Sequence, residues 1–271
     1  MSRILPSLLL FLMTAASAAV FQWYDDEGGI HYSDRTRLGA TKVRLVPEFV
    51  YTEVEYVYDG DTVKLRDGRK VRLLNINAPE IEHERKRGEP GGQAAKERLR
   101  SLLSGRKVRL EFDVERRDKY GRTLAYLFTE RHLHLNEVLV REGLAIANIH
   151  PPNLKYAELL LTAQADAERE KRGIWGMPEY APKPMEILQR KRLYGWQRLV
   201  GIPHALKQGR KYVRLRFSKD LYVTIPRANL KWFPDLEGYL GRRVEVRGWP
   251  SRRGRVYSVL VRHPSALVVL D

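Results

Sequence analysis

The sequence contains no cysteine. This absence excludes disulfide bonds, thiolate zinc sites and cysteine nucleophiles, so any hydrolysis has to rely on other side chains. Acidic residues are outnumbered, since 33 Asp and Glu stand against 49 Lys and Arg and leave a formal net charge of +16. Such a charge attracts polyanions. Nucleic acid and an anionic envelope surface are therefore the two classes of partner that the composition favours.

Apolar runs long enough to span a membrane are also absent. The N-terminal run from Ile4 to Met13 follows a single arginine and precedes the small residues Ala16, Ser17 and Ala18. That is the pattern of a signal peptide, whereas a membrane anchor needs about 20 apolar residues. We therefore expect a signal peptide over residues 1–18, cleavage after Ala18, and a periplasmic or secreted mature protein with no integral membrane segment.

What the chain does contain is a series of strand-like and helical patterns that fall into four further parts. With 271 residues, 43% of them hydrophobic, the chain can bury ordinary cores. The divisions rest on turn clusters, on the change from strand to helix periodicity and on a proline-containing charged stretch. We predict a small N-terminal β module over 19–48, a main domain over 49–176, a linker over 177–193 and a basic C-terminal β-barrel over 194–271.

The N-terminal module has two strand-like runs on either side of the turn cluster Asp26–Gly29. A Trp, an Asp, a Gly and a His-Tyr-Ser-Asp run follow one another there. In this order they resemble a short module of unknown function at the N terminus of many exported bacterial proteins. We interpret His31 as a structural residue that packs beside Trp23, not as a catalytic one.

The main domain begins with strands and ends with helices. After a hairpin, its pattern predicts a helix from Gly92 to Leu103 and strands over Lys107–Phe112 and Thr123–Phe128. A last helix is predicted to be capped by Asn153 and to end near Gly173.

Most of the excess positive charge lies in the last part of the chain. Residues 194–263 hold 16 Lys and Arg but only 4 Asp and Glu. Runs such as YVRLRFS and VEVRGW alternate apolar and polar residues, which indicates strands, and the region resembles the oligonucleotide-binding barrels that bacteria attach to nucleases. We expect it to hold nucleic acid; the alternative is a solvated basic barrel with an aromatic core. The interleaved aromatic residues are Tyr212, Phe217, Trp232, Phe233, Trp249 and Tyr257.

The stretch VYDGDTVKLRDGRKVRLLNINAPE predicts a hairpin that carries both acidic and basic side chains. A two-residue Asp67-Gly68 turn would place Arg72 opposite Val63 and Leu74 opposite Asp61. Asp61 and Arg72 would then be diagonal neighbours on one face of the hairpin. They could form a simple surface ion pair, which contributes little to stability, or part of a site.

Two further features favour a site. The turn in RDKYGRTLAYLF presents Lys119, Tyr120 and Arg122 just before a strand, and these are side chains that bind phosphate well. Glu80 follows Pro79, so its carboxylate stands on a restrained backbone. Together these residues supply an acid for a cation, an acid for a proton and two arginines for phosphoryl charge.

At these residues the chain resembles the staphylococcal nuclease (thermonuclease) family. The resemblance covers about residues 51–176 and rests on four motifs in order: DGDTVKL with GRKVRLLNINAPE, DKYGRTLAY, LNEVLVREGLA and EREKRGIWG. It implies a five-stranded oligonucleotide-binding barrel capped by three helices, and cleavage of phosphodiester bonds in DNA and RNA with calcium. The expected fold class is mainly β with helices, with the small N-terminal β-hairpin module and the second C-terminal barrel added.

The resemblance also implies a role for each residue that matches a family motif. It makes Arg72 and Arg122 the phosphate-clamping arginines and Glu80 the general base. Asp61 becomes a calcium ligand, and Lys119 and Tyr120 become phosphate contacts. Calcium prefers oxygen ligands, a carboxylate near neutral pH can accept a proton from water, and arginine stabilises the charge of the transition state.

The chain departs from the family pattern at several positions. Asn77 replaces the second aspartate ligand of calcium, so the site keeps an oxygen but loses a negative charge. Ala78 stands where the family uses a backbone carbonyl as a ligand, so its side chain matters little. Asn148 and His150 replace tyrosines that contact the nucleotide, which should weaken base stacking.

We therefore expect an exported, monomeric nuclease that acts on DNA, RNA or both and binds calcium weakly. Its catalytic residues would be Arg72, Glu80 and Arg122, with Lys119 and Tyr120 as substrate contacts and Asp61, Asn77 and Ala78 around the metal. One alternative is a catalytically weakened module of the same fold that binds nucleic acid or another anionic envelope partner. A structural protein held at the envelope surface by its basic domain is a third interpretation.

Overall fold

The computed structural model describes residues 20–25, 27, 29–43, 49–83 and 87–270. The predicted signal peptide, residues 1–18, lies outside these ranges, as do Asp26 and Gly28 of the predicted N-terminal turn. Within the ranges, no helix has the length and apolar character needed to cross a lipid bilayer.

The N-terminal module is a three-stranded sheet in the order β2-β1-β3. Its strands are β1 (Val20–Tyr24), β2 (Ile30–Ser33) and β3 (Thr41–Val43). Trp23 and His31 face each other across β1 and β2, and their rings stack with centroids 5.3 Å apart. The predicted packing of His31 beside Trp23 is confirmed. The imidazole Nε2 also lies 2.6 Å from Asp25 Oδ2, which supports the structural interpretation of His31.

The main domain is built on a closed five-stranded barrel with three helices, as the family resemblance implies. Neighbouring strands follow the order β4-β5-β6-β9-β8, and β6 and β9 run parallel. Alternate residues such as Val63, Leu65, Val71 and Leu73 are buried in one apolar core, to which all three helices contribute. The elements are β4 (Thr52–Val57), β5 (Thr62–Leu65), β6 (Lys70–Leu73), β7 (Ile76–Asn77), α1 (Gly92–Leu103), β8 (Lys107–Glu111), β9 (Thr123–Thr129), α2 (Leu135–Arg141), β10 (Ile146–Ala147) and α3 (Ala157–Arg169).

Two local expectations for this domain need correction. The turn after β5 is a three-residue loop, because Leu65 N–H donates to Arg69 O and Gly68 has a φ of +87°. Val63 therefore pairs with Val71 and not with Arg72, so the predicted register was wrong by one residue. The second correction concerns the last helix.

Asn153 does not cap α3, which begins at Ala157. Its side chain bridges to the backbone of Glu115 instead, accepting from the N–H at 2.7 Å and donating to the carbonyl at 3.2 Å. The cap prediction was wrong because a tertiary contact four residues ahead of the helix uses the same amide.

Residues 177–193, for which the sequence predicts a linker, are packed against neighbouring elements. Two 3₁₀ turns, Gly173–Gly176 and Pro178–Tyr180, lead into β11 (Lys183–Pro184) and α4 (Ile187–Arg190). β11 pairs in parallel with the first strand of the C-terminal domain, and Leu188 is buried in that domain's core.

The C-terminal domain consists of two β-sheets around one core, and we call it the second barrel because of its strand order. The sheets have the orders β11-β12-β16-β19 and β13-β14-β15-β18-β17. β12 is followed directly by β13, and β16 by β17, so each of these pairs can be counted as one long strand that takes part in both sheets. Counted this way, the strands have the same order of neighbours as in the first barrel. The parallel pair β15 with β18 corresponds to the parallel pair β6 with β9. The elements are β12 (Gln197–Gly201), β13 (Ala205–Gln208), β14 (Tyr212–Arg216), β15 (Leu221–Pro226), β16 (Val244–Gly248), β17 (Pro250–Arg253), β18 (Val256–Leu260) and β19 (Leu267–Val269), with 3₁₀ turns at Arg227–Trp232, Leu236–Tyr239 and Pro264–Ala266.

The two barrels pack on each other through an apolar cluster and a charged network. Trp175 of the first barrel meets Trp196 of the second with ring centroids 5.8 Å apart. Beside them, Glu168 of α3 accepts two hydrogen bonds from Arg247, at 2.7 and 2.8 Å. Arg247 also donates to the buried carboxylate of Glu245 at 2.6 Å. The charges at this interface are therefore mutually satisfied.

Candidate active site

An ion pair between Asp61 and Arg72 forms the centre of the site. Asp61 ends the loop before β5 and is 5% exposed, and its Oδ2 lies 2.9 Å from Arg72 Nη2. The same oxygen accepts the N–H of Ala78 at 2.8 Å. Burial raises the pKa of Asp61 to about 7 against the opposing effect of the Arg72 charge. The convergence of Asp61 and Arg72 holds despite the shifted register, because the long arginine side chain spans the difference.

Arg72 is held in one position by its hydrogen bonds. Its Nη1 donates to the carbonyl oxygens of Leu73 and Ile76, both at 2.9 Å. Its Nη2 donates to Asn77 Oδ1 at 3.0 Å. With 15% of its side chain exposed, the guanidinium still reaches solvent. A fixed cation of this kind can stabilise developing negative charge without first reorganising.

Asn77 is hydrogen-bonded in one orientation only. Its Oδ1 faces the donor Arg72, and its Nδ2 donates to the carbonyl of Ala78 at 3.0 Å. Guanidinium groups only donate and carbonyl oxygens only accept, so both contacts fix the amide the same way round. The two oxygens that the family resemblance assigns to the metal, at 77 and 78, thus both have hydrogen-bond donors here.

Asp59 is a residue of the site that the sequence analysis missed. Its Oδ1 accepts the N–H of Asp61 at 2.9 Å, and its negative charge contributes to the raised pKa of Asp61. The signal was present in the sequence Asp-Gly-Asp, whose first aspartate is spaced to turn back on the second. The centre therefore contains two neighbouring carboxylates.

The second predicted cluster lies on the turn before β9. Asp118 accepts the backbone N–H of Arg122 at 2.9 Å and its Nε at 2.7 Å. Burial opposes ionisation of Asp118, but the hydrogen bonds from Arg122 outweigh it and lower the pKa of this carboxyl. Lys119 Nζ lies 4.9 Å from the centre of the Tyr120 ring, which is 72% exposed. The predicted substrate contacts thus share one exposed turn with Arg122.

The parallel pairing of β6 with β9 brings this turn to the strand of Arg72. Val71 pairs with Thr123 and Arg72 with Leu124. Arg122 is therefore one residue before the paired stretch and on the same face as Arg72. The structure places Arg72 on β6 and Arg122 in the turn just before the adjacent strand β9.

Backbone hydrogen bonds fix the position of Glu80. Its N–H donates to Glu89 Oε2 at 3.1 Å, and its carbonyl accepts the N–H of Glu89 at 2.8 Å. Gly92, at the start of α1, lies so close that a Cβ there would be 2.4 Å from Glu80 O. The half-buried Glu80 is thus clamped between Pro79 and the first turn of α1.

The oxygen atoms around Asp61 fit a hard cation such as calcium. In the described ranges no three His, Asp or Glu side chains gather into a metal site, so amide, carbonyl or water oxygens would have to complete the coordination. The atoms next to Asp61 that could bind a metal, on Asp59, Asn77 and Ala78, are oxygens, and oxygen ligands suit calcium better than zinc.

Asn148 and His150 lie beside this centre, where β10 ends. Their N–H groups donate to the carbonyl and to the side-chain oxygen of Asn75, at 2.8 and 3.1 Å. Desolvation, followed by the charges of Arg262 and Arg72, lowers the pKa of His150, whose side chain nevertheless stays exposed to solvent. Because Arg262 belongs to the second barrel, the edge of the site is made by both barrels.

Comparison with known proteins agrees with the N-terminal resemblance. Residues 7–48 match a family model described as "Domain of unknown function (DUF4124)". The match confirms that the predicted short module of unknown function belongs to a known family. It assigns no chemistry to the module.

The main domain matches a family model described as "Staphylococcal nuclease homologue" over residues 70–177, which includes every predicted site residue except Asp61. A thermonuclease of Staphylococcus intermedius is 35% identical over 170 residues, covering 62% of this chain and 95% of that protein. A thermonuclease of Staphylococcus hyicus is 38% identical over 122 residues, 44% of this chain and 72% of that protein. Endonuclease YncB of Bacillus subtilis (strain 168) is 36% identical over 138 residues, 49% of this chain and 65% of that protein. With nearly the whole length of a thermonuclease represented here, the chain belongs to the staphylococcal nuclease family.

Proposed function

We propose that the chain is a nuclease that hydrolyses phosphodiester bonds in DNA, RNA or both. The observation that carries this proposal is the fixed guanidinium of Arg72 beside buried Asp61, with Arg122 in the turn that leads into the adjacent strand. An ion pair that served stability alone would not need four acceptors around one arginine at the surface of a barrel. The relatives named thermonuclease and endonuclease support the same activity.

In the proposed reaction a water oxygen attacks phosphorus and the ester oxygen leaves. Glu80 accepts the proton of the attacking water, and the leaving oxygen takes a proton from solvent. Arg72 and Arg122 hold the phosphoryl oxygens and stabilise their growing negative charge. Lys119 and Tyr120 contact neighbouring phosphates from the exposed turn.

We also assign calcium to this site as a proposal. Asp61 and Asp59 would provide its carboxylate oxygens, with the oxygens of Asn77 and Ala78 nearby. The bound ion would neutralise phosphate charge and orient the attacking water. Because Asn77 contributes no charge, we expect weaker affinity than a site with another carboxylate would have.

The activity can be tested by zymography of the purified full chain on single-stranded DNA and on RNA, with calcium or with chelator. Clearing that depends on calcium and is lost in Arg72→Ala supports the proposal. Clearing by Arg72→Ala equal to wild type would overturn the assignment of this site.

A second candidate is a binding module that has lost catalysis. The observation that favours it is the amide of Asn77, which accepts a hydrogen bond from Arg72 and donates one to the Ala78 carbonyl. This candidate predicts tight binding of nucleic acid without any cleavage, with or without calcium, so the same gel and a binding measurement separate the two.

Export to the periplasm or medium is a further part of the proposal. It rests on the N-terminal run from Ile4 to Met13 and the small residues before Ala19. Sequencing the N terminus of protein recovered from the periplasm or medium should find Ala19 first. Recovery of only cytoplasmic protein that begins at Met1 would contradict export.

A further inference from the structure

The second barrel carries an open groove on the outward face of its five-stranded sheet. The groove has a volume of about 630 Å³. Alternate residues of each strand face away from the core there, while Val213 and Leu215 of β14 point inward and are buried. We call this surface the outer sheet face, and its lining residues are Lys207, Tyr212, Arg214, Tyr222, Thr224, Ser251, Arg253, Val256, Ser258 and Leu260.

The outer sheet face has positive charge without compensation. Lys207 lies directly opposite Arg214 on the neighbouring strand, an arrangement that destabilises a sheet by itself. None of the described residues that line the groove is acidic, and the ion pairs of the described chain leave out Lys207, Arg214 and Arg253. A polyanion would relieve this repulsion.

Two tyrosines lie among these basic side chains. Tyr212 is 38% exposed, and the hydroxyl of Tyr222 donates to the Lys219 carbonyl at 2.8 Å, which holds the ring in place. Rings fixed between cations form the combination that binds single-stranded nucleic acid, with bases on the rings and phosphates on the cations. The bases of a duplex are stacked inside the helix and do not reach such rings.

The groove continues towards the first barrel. Leu260 lines both the outer sheet face and the cleft between the barrels, and His150 and Arg262 line the same cleft. His150 N–H donates to Asn75 Oδ1 at 3.1 Å. The next residue, Ile76, accepts a hydrogen bond from Arg72 through its carbonyl at 2.9 Å. A series of contacts thus joins the groove to the candidate active site.

We propose that the outer sheet face binds a single strand of nucleic acid and leads it past Leu260 and Arg262 to Arg72. Tyr212 and Tyr222 stack on bases, and Lys207, Arg214 and Arg253 hold phosphates. This inference rests on the proposed nuclease function for the destination of the strand, while binding by the face itself does not depend on cleavage.

The binding step is tested with the full chain in chelator, where the proposed hydrolysis does not run. Fluorescence anisotropy measures the Kd of a labelled single-stranded 20-mer and of the matching duplex over a range of salt. We expect Lys207→Ala with Arg214→Ala to weaken single-strand binding about tenfold and to reduce the slope of log affinity against log salt by about 1.4, two phosphate contacts. The matched control is Lys191→Ala with Arg243→Ala, which removes the same charge at exposed positions outside the groove. It should leave Kd and slope unchanged.

The stacking step is tested at Tyr222. Tyr222→Ala should weaken single-strand binding about tenfold, whereas Tyr222→Phe, which keeps the ring and loses only the bond to Lys219, should stay near wild type. Three results would each overturn the proposal. The first is an equal effect of the groove pair and the control pair, and the second is an equal effect of Tyr222→Ala and Tyr222→Phe. The third is an equal loss of affinity for single strand and duplex. Cleavage is scored separately: no cleavage with intact, face-dependent binding removes the nuclease function and keeps the binding surface.

Discussion

The two barrels of this chain share their strand order but use arginine in opposite ways. In the first barrel Arg72 donates to Asp61, Asn77 and two backbone carbonyls, so its position is fixed. In the second, Lys207 and Arg214 stand side by side on the outer sheet face without an acid. A fixed cation suits one phosphate at a defined place, whereas unpaired cations suit a polyanion of any sequence. One topology thus supports a chemical site and a binding surface.

The largest expected effect separates the two kinds of arginine. Arg72→Ala should lower kcat on single-stranded DNA about 10³-fold, because a fixed charge that stabilises the transition state is lost. Arg214→Ala should instead raise KM about three- to tenfold, since one phosphate contact of the bound strand is lost. Steady-state kinetics on the same oligonucleotide give both numbers. If both variants changed only KM, both arginines would act in substrate binding, and the two barrels would not differ in their role.

A second difference lies in the cores. His134 is buried in the first barrel against Phe128, with ring centroids 4.5 Å apart, and neither ring nitrogen has a hydrogen-bond partner among the described residues. Burial, with a smaller contribution from the Arg109 charge and against that of Glu111, lowers the pKa of His134 to about 4. The core cluster of the second barrel holds no histidine in the described part of the chain.

We therefore expect acid to destabilise the first barrel through His134. The unfolded chain binds the proton first, with a pKa of about 6.5, so this contribution is complete above that pH and is lost as the pH falls towards 4. The loss is about 3 kcal/mol in the free energy of unfolding. Urea unfolding at pH 7 and pH 4.5 should show a smaller acid loss for His134→Phe than for wild type. Equal losses would place the acid sensitivity elsewhere.

The sequence was sufficient for features that depend on local pattern. The helix Gly92–Leu103 was predicted with its ends, because its apolar spacing and its flanking glycines are both local. The register of the first hairpin was not, since Asp-Gly fits both a two-residue turn and the three-residue loop that forms. Only the position of Gly68 within the loop decides between them.

Features that depend on distant residues could not be predicted by pattern alone. The pairing of Val71 with Thr123, which brings the turn of Arg122 to the strand of Arg72, joins strands that β7, α1 and β8 separate in the sequence. Without the family resemblance, nothing in the motif of Arg72 or in the motif of Arg122 indicates that the two motifs are neighbours in the fold. The packed state of residues 177–193 likewise depends on the pairing of β11 with β12 and on the burial of Leu188 in the core of the second barrel, which no local pattern encodes.

The interface between the barrels provides the third prediction. Glu168→Gln should lower the free energy of unfolding of the full chain by about 2 kcal/mol, because Arg247 and Arg198 then lose part of the charge that balances them where they are partly buried. Asp166→Asn, two residues away on the same helix, breaks an exposed pair with Arg169 and should change stability by about 0.5 kcal/mol or less. Urea unfolding of both variants makes the comparison. Similar values would mean that the apolar cluster alone holds the barrels together.

The smallest expected effect concerns Asn77, one of the positions at which the family resemblance implies a departure from the family pattern. In Asn77→Asp a carboxylate oxygen replaces the amide that donates to the Ala78 carbonyl, so without calcium two oxygens repel each other. Calcium bound as proposed would remove this repulsion, because both oxygens would become its ligands. The variant should therefore melt at a lower temperature than wild type in chelator and gain more from calcium, with an affinity up to about tenfold tighter.

Calcium titrations by calorimetry and thermal melts with and without calcium measure this coupling independently of activity. Asn77→Ala is the matched control, since it loses the same hydrogen bond but adds no ligand, and calcium should raise its melting temperature no more than that of wild type. If Asn77→Asp gained nothing from calcium and bound single-stranded DNA more weakly, the added charge would be repelling phosphate. The first barrel would then hold nucleic acid by its arginines alone, and the two barrels would be two binding surfaces of different rigidity.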